Sequence, residues 1–154
     1  MKNTFIIIFI IIILLQIIQI EKTNPKSNPK LEIHAPKEIM NIFKRSCYDC
    51  HSNDTNWPWY SNIAPVSWSV SSHVEDGRQW LNFSIWNSYT INEQNKKIKE
   101  IFRSIYIAMP PSDYIYFHEE SFLTKKERNL VRDWTGVMND NKPIFTNITE
   151  KIHE

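Results

Sequence analysis

The hydrophobic pattern divides the chain into an apolar head, a polar stretch and a helical body. Phe5 to Ile20 reads FIIIFIIIILLQIIQI, preceded by Lys2 and free of charge. As a helix these sixteen residues would span about 24 Å, against about 30 Å for a bilayer's hydrocarbon core. That is long for the apolar region of a signal peptide, and no small-x-small cleavage site follows it. The expectation is an uncleaved membrane anchor helix over residues 1–20, with a removed signal peptide as the alternative. Residues 21–35 carry Asn24, Pro25, Ser27, Asn28 and Pro29 among lysines, without periodicity, and read as a solvated linker.

From Pro36 the pattern becomes helical. Ile39, Met40, Ile42 and Phe43 give a short amphipathic helix running into Cys47. Ser52 to Ile63, dense in Asn, Asp and Trp, reads as an irregular loop. Pro65 restarts a helix with Trp68, Val70 and Val74 inward, ending near Gly77. Ile98, Ile101, Phe102 and Ile105 follow at i, i+3, i+4 and i+7, predicting a helix over 92–108 that Pro110 and Pro111 stop. A last helix starts at Thr124 with Glu127 in the capping-box position, and Gly136 ends it. The fold class is therefore all-α: a small helical domain with long loops over 36–138, after the anchor helix and before a polar tail over 139–154.

Composition narrows the possibilities. Two glycines in 154 residues disfavour a turn-rich barrel, and a net charge of +1 argues against nucleic acid as a partner. Six Trp, six Tyr and eight Phe give a small body large rings from which to build a core.

The chemistry concentrates in Cys47-Tyr48-Asp49-Cys50-His51, which holds both cysteines of the chain. On a helical turn the offsets of three and four put both thiols and the imidazole on one face. Two thiols can then bond to the two vinyl groups of one haem while the imidazole reaches the iron, the spacing of a c-type attachment. Three other readings compete: a thioredoxin-like redox pair, which lacks the α/β context it needs; a zinc site completed by His34, His73 or His118, which lacks a second ligand pair; and a plain disulfide, which leaves His51 unexplained.

Haem iron has a second axial position, and Met109 leads the candidates for it. It stands before Pro110, which biases it out of helical backbone, and a thioether raises the reduction potential; its alternative role is core packing. His73 and His118 are the rivals, as ligands, as a distal acid or base, or as propionate partners. Trp57, Trp59, Tyr60 and Trp68 could wall the crevice, and Arg78 and Trp80 could meet propionates.

The run CYDCHSNDTNWPWYSNIAPVSWSVSSHVEDGRQWLNFSIW and the later MPPSDYIYFHEESFLTKKERNLVRDW resemble a family of bacterial haem-binding domains, small mono-haem proteins of cytochrome c type. The two blocks cover about residues 40–135, with Ser121 and Phe122 in place of a smaller apolar pair. The resemblance implies one covalent haem c on Cys47 and Cys50, His51 as proximal ligand, Met109 at the distal position and a histidine at the place of His118. It also implies an extracytoplasmic setting on the periplasmic side. The resulting expectation is a one-electron carrier and not an enzyme, serving redox partner proteins and held to the membrane through residues 5–20. A small-ligand sensor or a peroxidase-like enzyme with an exchangeable distal ligand is the alternative.

Overall fold

The computed structural model describes residues 2–138, and among them it forms seven α-helices, three short 3-10 helices and no strand. The helices are α1 (Lys2–Leu15), α2 (Lys37–Ser46), α3 (Tyr48–His51), α4 (Val66–Trp80), α5 (Ile91–Ile107), α6 (Ser112–Phe117) and α7 (Lys125–Thr135). The 3-10 turns are Trp59–Asn62, Phe83–Ser88 and Glu119–Ser121. The all-helical expectation holds. The tail expected over 139–154 lies outside the described residues.

The anchor helix expected over residues 1–20 is corrected. Helix α1 has 14 residues, about 21 Å, and no helix among the described residues is long and apolar enough to cross a membrane. The reason lies at Gln16. Its Nε2 donates to the Ala64 carbonyl and its Oε1 accepts from the Ala64 amide, both at 3.0 Å. The apolar run is thereby split, and the residues after Leu15 leave the helix. Beyond them the Trp68 indole donates to Ile18 O at 3.1 Å, tying the chain to α4.

Residues 21–35 carry no helix and lie against the body. Ile33 is 1% exposed, and its amide donates to Phe83 O at 2.9 Å. Arg78 reaches the same segment through Thr23 O (2.9 Å) and Asn24 Oδ1 (3.2 Å), while also bonding Ser52 O (2.7 Å) and Thr55 Oγ1 (2.8 Å). Ile33 stands in a short Leu31-Glu32-Ile33-His34-Ala35 stretch between prolines, too brief for a helical period to mark it as core.

The core forms where α2, α5 and α7 meet. Ile39, Ile42 and Phe43 of α2, Ile98, Ile101 and Ile105 of α5, and Val131 of α7 are buried together with Tyr48, Phe83, Trp86 and Leu123. Phe83 is the hub: it stacks on Phe43 at 4.8 Å and on Tyr48 at 5.4 Å, and Phe43 meets Trp134 edge-on at 5.4 Å. Burying such a ring stabilises by about 1.5–3 kcal/mol. Both long C-terminal helices begin with capping boxes, Thr90 with Glu93 and Thr124 with Glu127, and Gly136 closes α7 in the left-handed region at φ 65°. Glu127 also pairs with Arg45 at 2.7 Å, joining α7 to α2.

Helix α4 differs from its sequence reading. Its buried face is Ser67, Ser71, Val74 and Gly77, with Trp68 and Val70 only partly covered. These small residues let α4 approach α3 closely. A Cβ at position 77 would stand 2.4 Å from the Cys50 carbonyl oxygen. Gly77 therefore lies inside the helix, which runs on to Trp80, because only a hydrogen fits between the two backbones.

This contact gives a test. Gly77→Ala must push α4 from α3 and should destabilise the protein by about 1–3 kcal/mol, read as a lower urea midpoint. Gly136→Ala strains only the terminus of α7 and should cost about 1–2 kcal/mol without disturbing the Cys47–His51 turn.

Candidate functional site

The turn Cys47–His51 is built by backbone. Cys50 N and His51 N both donate to Cys47 O, at 3.2 and 2.9 Å, and Cys47 N donates back to Phe43 O at 2.8 Å. The motif thus continues α2 after a kink at Cys47, where φ is −132°. A buried polar network holds the chain after it. Ser52 Oγ donates to Tyr48 O (2.8 Å), Asn82 Nδ2 to Asn53 Oδ1 (2.8 Å), and Asn53 N to Ser84 Oγ (3.0 Å). These bonds fasten the loop after His51 to the 82–84 segment, next to the Phe83 hub.

His51 faces the C-terminal end of α4. Its Nδ1 lies 3.0 Å from Gly77 O and 3.1 Å from Leu81 O. Carbonyls only accept, so Nδ1 must carry the hydrogen, and the Nε2 lone pair is left for a ligand. Burial is the main cause that holds the His51 pKa below its ordinary value; Lys97 adds to it and the two carbonyl bonds oppose it. Neutral imidazole is the form that binds metal. Phe83 meets the imidazole edge-on at 6.4 Å, linking the site to the core.

Cys47 and Cys50 are free thiols, each partly buried. Burial, helped by its neighbour Cys50, pushes the Cys47 thiol up to about 12 against a weaker pull from Arg45. Burial and Asp49 push Cys50 up to about 11. Both are thiols at neutral pH, unlike the low-pKa attacking cysteine of a redox pair. Among the described residues no three His, Cys, Asp or Glu side chains converge on a point that could hold a metal ion.

The remaining candidates fall in different places. His73 is exposed on α4, off its buried face. His118 is brought near the motif: its Nε2 is 2.9 Å from Tyr60 Oη, its Nδ1 3.3 Å from Glu120, and its ring stacks on Tyr114 at 4.4 Å. Tyr114 in turn donates to Asp49 Oδ2 at 2.6 Å. Burial and the Asp49 bond raise the Tyr114 pKa. A cavity of about 510 Å³ opens beside these groups, lined by Arg45, Asp49, Tyr114, His118 and Glu120 among others; neither cysteine nor His51 lines it. Met109 follows the end of α5, its amide bonded to Ser104 O at 2.8 Å and its carbonyl to Arg128 at 3.3 Å, and the residue is 36% exposed.

Of the two suggested propionate partners, Arg78 has its guanidinium committed to the chain itself by the four bonds described above, and the Trp80 ring is exposed. Of the suggested wall, Trp57 and Trp68 spend their indole N–H groups on Asn24 and Ile18, whereas Trp59 stands 72% exposed and meets the Tyr60 ring edge-on at 5.8 Å. The Gly77 and Leu81 carbonyls escape a reading of side chains; the glycine inside a helix was the available signal.

Comparison with known proteins decides the family. The family model described as "Haem-binding domain" matches residues 10–136. The chain belongs to that family. No curated protein and no solved structure matches it. Membership supports haem as the cofactor of this haem-binding domain. The residues fit that group: two un-ionised thiols and an imidazole whose Nδ1–H is already satisfied, with its Nε2 lone pair left for a metal, stand on one turn. Cys47, Cys50 and His51 are the residues that would hold it.

Because the folded chain keeps His51 neutral, the unfolded chain binds the extra proton below about pH 6.5. Stability of the full chain without haem should then fall as pH drops through that value toward the lower folded pKa. Urea midpoints at pH 7.5 and 5.5 should differ less in His51→Asn than in the parent; equal differences would remove His51 as a source of the acid lability.

Proposed function

We propose that this haem-binding domain is a c-type cytochrome that carries one haem through thioether bonds to Cys47 and Cys50 and passes single electrons outside the cytoplasm. One observation carries the reading: the His51 imidazole, on the same turn as both thiols, has its Nδ1–H engaged by Gly77 O and Leu81 O, so Nε2 keeps the lone pair that a metal needs. Such a partner on the outer nitrogen fixes the ring and raises its basicity as a ligand. When bound, the haem supplies the redox chemistry, an iron that cycles between the ferric and ferrous states.

The chain's own residues then bind, orient and shield. Gly77 sets the distance between α3 and α4, Phe83 closes the core side of His51, and the Ser52–Asn53–Asn82–Ser84 network keeps the turn from loosening. Met109 is the residue that would supply a second ligand to the iron. It sits in the loop that Arg128 pins to α7, with an apolar thioether near the surface. A net charge of +1 gives little long-range steering, so docking to redox partner proteins depends on local patches.

Coexpression with haem-attachment machinery tests the proposal. The parent should keep its haem through denaturing electrophoresis, and Cys47→Ala/Cys50→Ala should lose it. The ferric parent should show the weak far-red charge-transfer band of methionine ligation, absent in Met109→Ala. A high-spin ferric spectrum with immediate cyanide uptake would sink the carrier reading and favour a sensor or a peroxidase-like enzyme with an exchangeable distal site.

A further inference from the structure

Helix α4 ends with its carbonyls turned toward His51. Gly77 O and Leu81 O meet Nδ1, and Gly77 O also accepts from Leu81 N at 2.9 Å. A helix C-terminus carries partial negative charge, so this end donates electron density to the imidazole. The intervening carbonyl, that of Trp80, is bonded by the Lys97 ammonium from α5. Lys97 is not a loose surface charge. Its Nζ lies 4.5 Å from the centre of the Tyr89 ring, and Tyr89 Oη accepts from Asn82 N at 3.1 Å. The ammonium is thus held over the 80–89 segment, one residue from a carbonyl that bonds His51.

We propose that Lys97 is a tuning residue for the haem of this domain: its fixed positive charge at the end of α4 offsets the electron-donating carbonyls behind His51 and raises the reduction potential. The inference rests on the proposed ligation by His51. A positive charge near the axial imidazole disfavours the ferric state, which carries one more positive charge than the ferrous state. A partly buried, immobilised charge is also screened less by salt than a free one. Removing it should shift the equilibrium toward the ferric form by about threefold to tenfold, or about 30–60 mV for a one-electron couple.

The test is spectroelectrochemical titration of the full, haem-loaded chain. Lys97→Met keeps the apolar stem and removes the charge; Lys97→Gln keeps a donor for Trp80 O without the charge; Lys97→Arg keeps the charge. The Met and Gln variants should show the lower potential with an unchanged ferric spectrum, and the Arg variant should stay near the parent. Equal potentials throughout, or an equal fall in all three, would overturn the proposal. Loss of haem from both neutral variants would overturn it too, because Lys97 would then be structural. A parent without covalent haem would instead overturn the cytochrome reading, and this inference with it.

Discussion

Everything in the candidate site depends on how closely α4 lies against the Cys47–His51 turn. The distance is set where Gly77 faces the Cys50 carbonyl, with no room for a side chain between them. That approach brings Gly77 O of α4 and Leu81 O just beyond it to His51 Nδ1, which fixes the tautomer, leaves the Nε2 lone pair for a ligand and compensates the burial of the ring. The small residues Ser67, Ser71 and Val74 extend the same seam along α4. A larger residue there would move the helix, and with it the acceptors that Nδ1 meets.

The core reinforces this arrangement from the other side. Phe83 stacks between Phe43 and Tyr48 and touches the His51 edge, so the packing of α2 against the 3-10 turn Phe83–Ser88 is continuous with the orientation of the imidazole. Tyr48 closes the group with a bond to Glu32 at 2.7 Å, engaging the N-terminal segment as well. The electrostatics agree: burial keeps the thiols protonated and the histidine neutral, the forms suited to a binding turn and not to a thiolate nucleophile.

The N-terminal region shows a local pattern yielding to a tertiary contact. Sixteen uncharged residues, all apolar but Gln16 and Gln19, favour one continuous helix on propensity and hydropathy. Gln16 meets both polar groups of Ala64, and the helix stops at Leu15. The segment beyond it, read from composition as a solvated linker, runs along the body and is held by Trp68, Arg78 and Trp57.

Short-range determinants were legible in the sequence. The Cys47–His51 offsets, the two capping boxes, the 3.6-residue stripe of α5 and the left-handed Gly136 are local: each depends on residues within a turn or two, so the order of residues sufficed to place them. The all-helical class followed for the same reason. Only the tertiary structure decided what covers what. It made Gly77 a spacer and not a terminator, set Ile33 in the core, turned Arg78 to the backbone, brought His118 to Tyr60 and Tyr114, and placed Lys97 behind His51. Apart from the stacking of His118 on Tyr114, those assignments join residues 17 to 58 positions apart, and no local periodicity encodes a meeting between a side chain and a distant carbonyl.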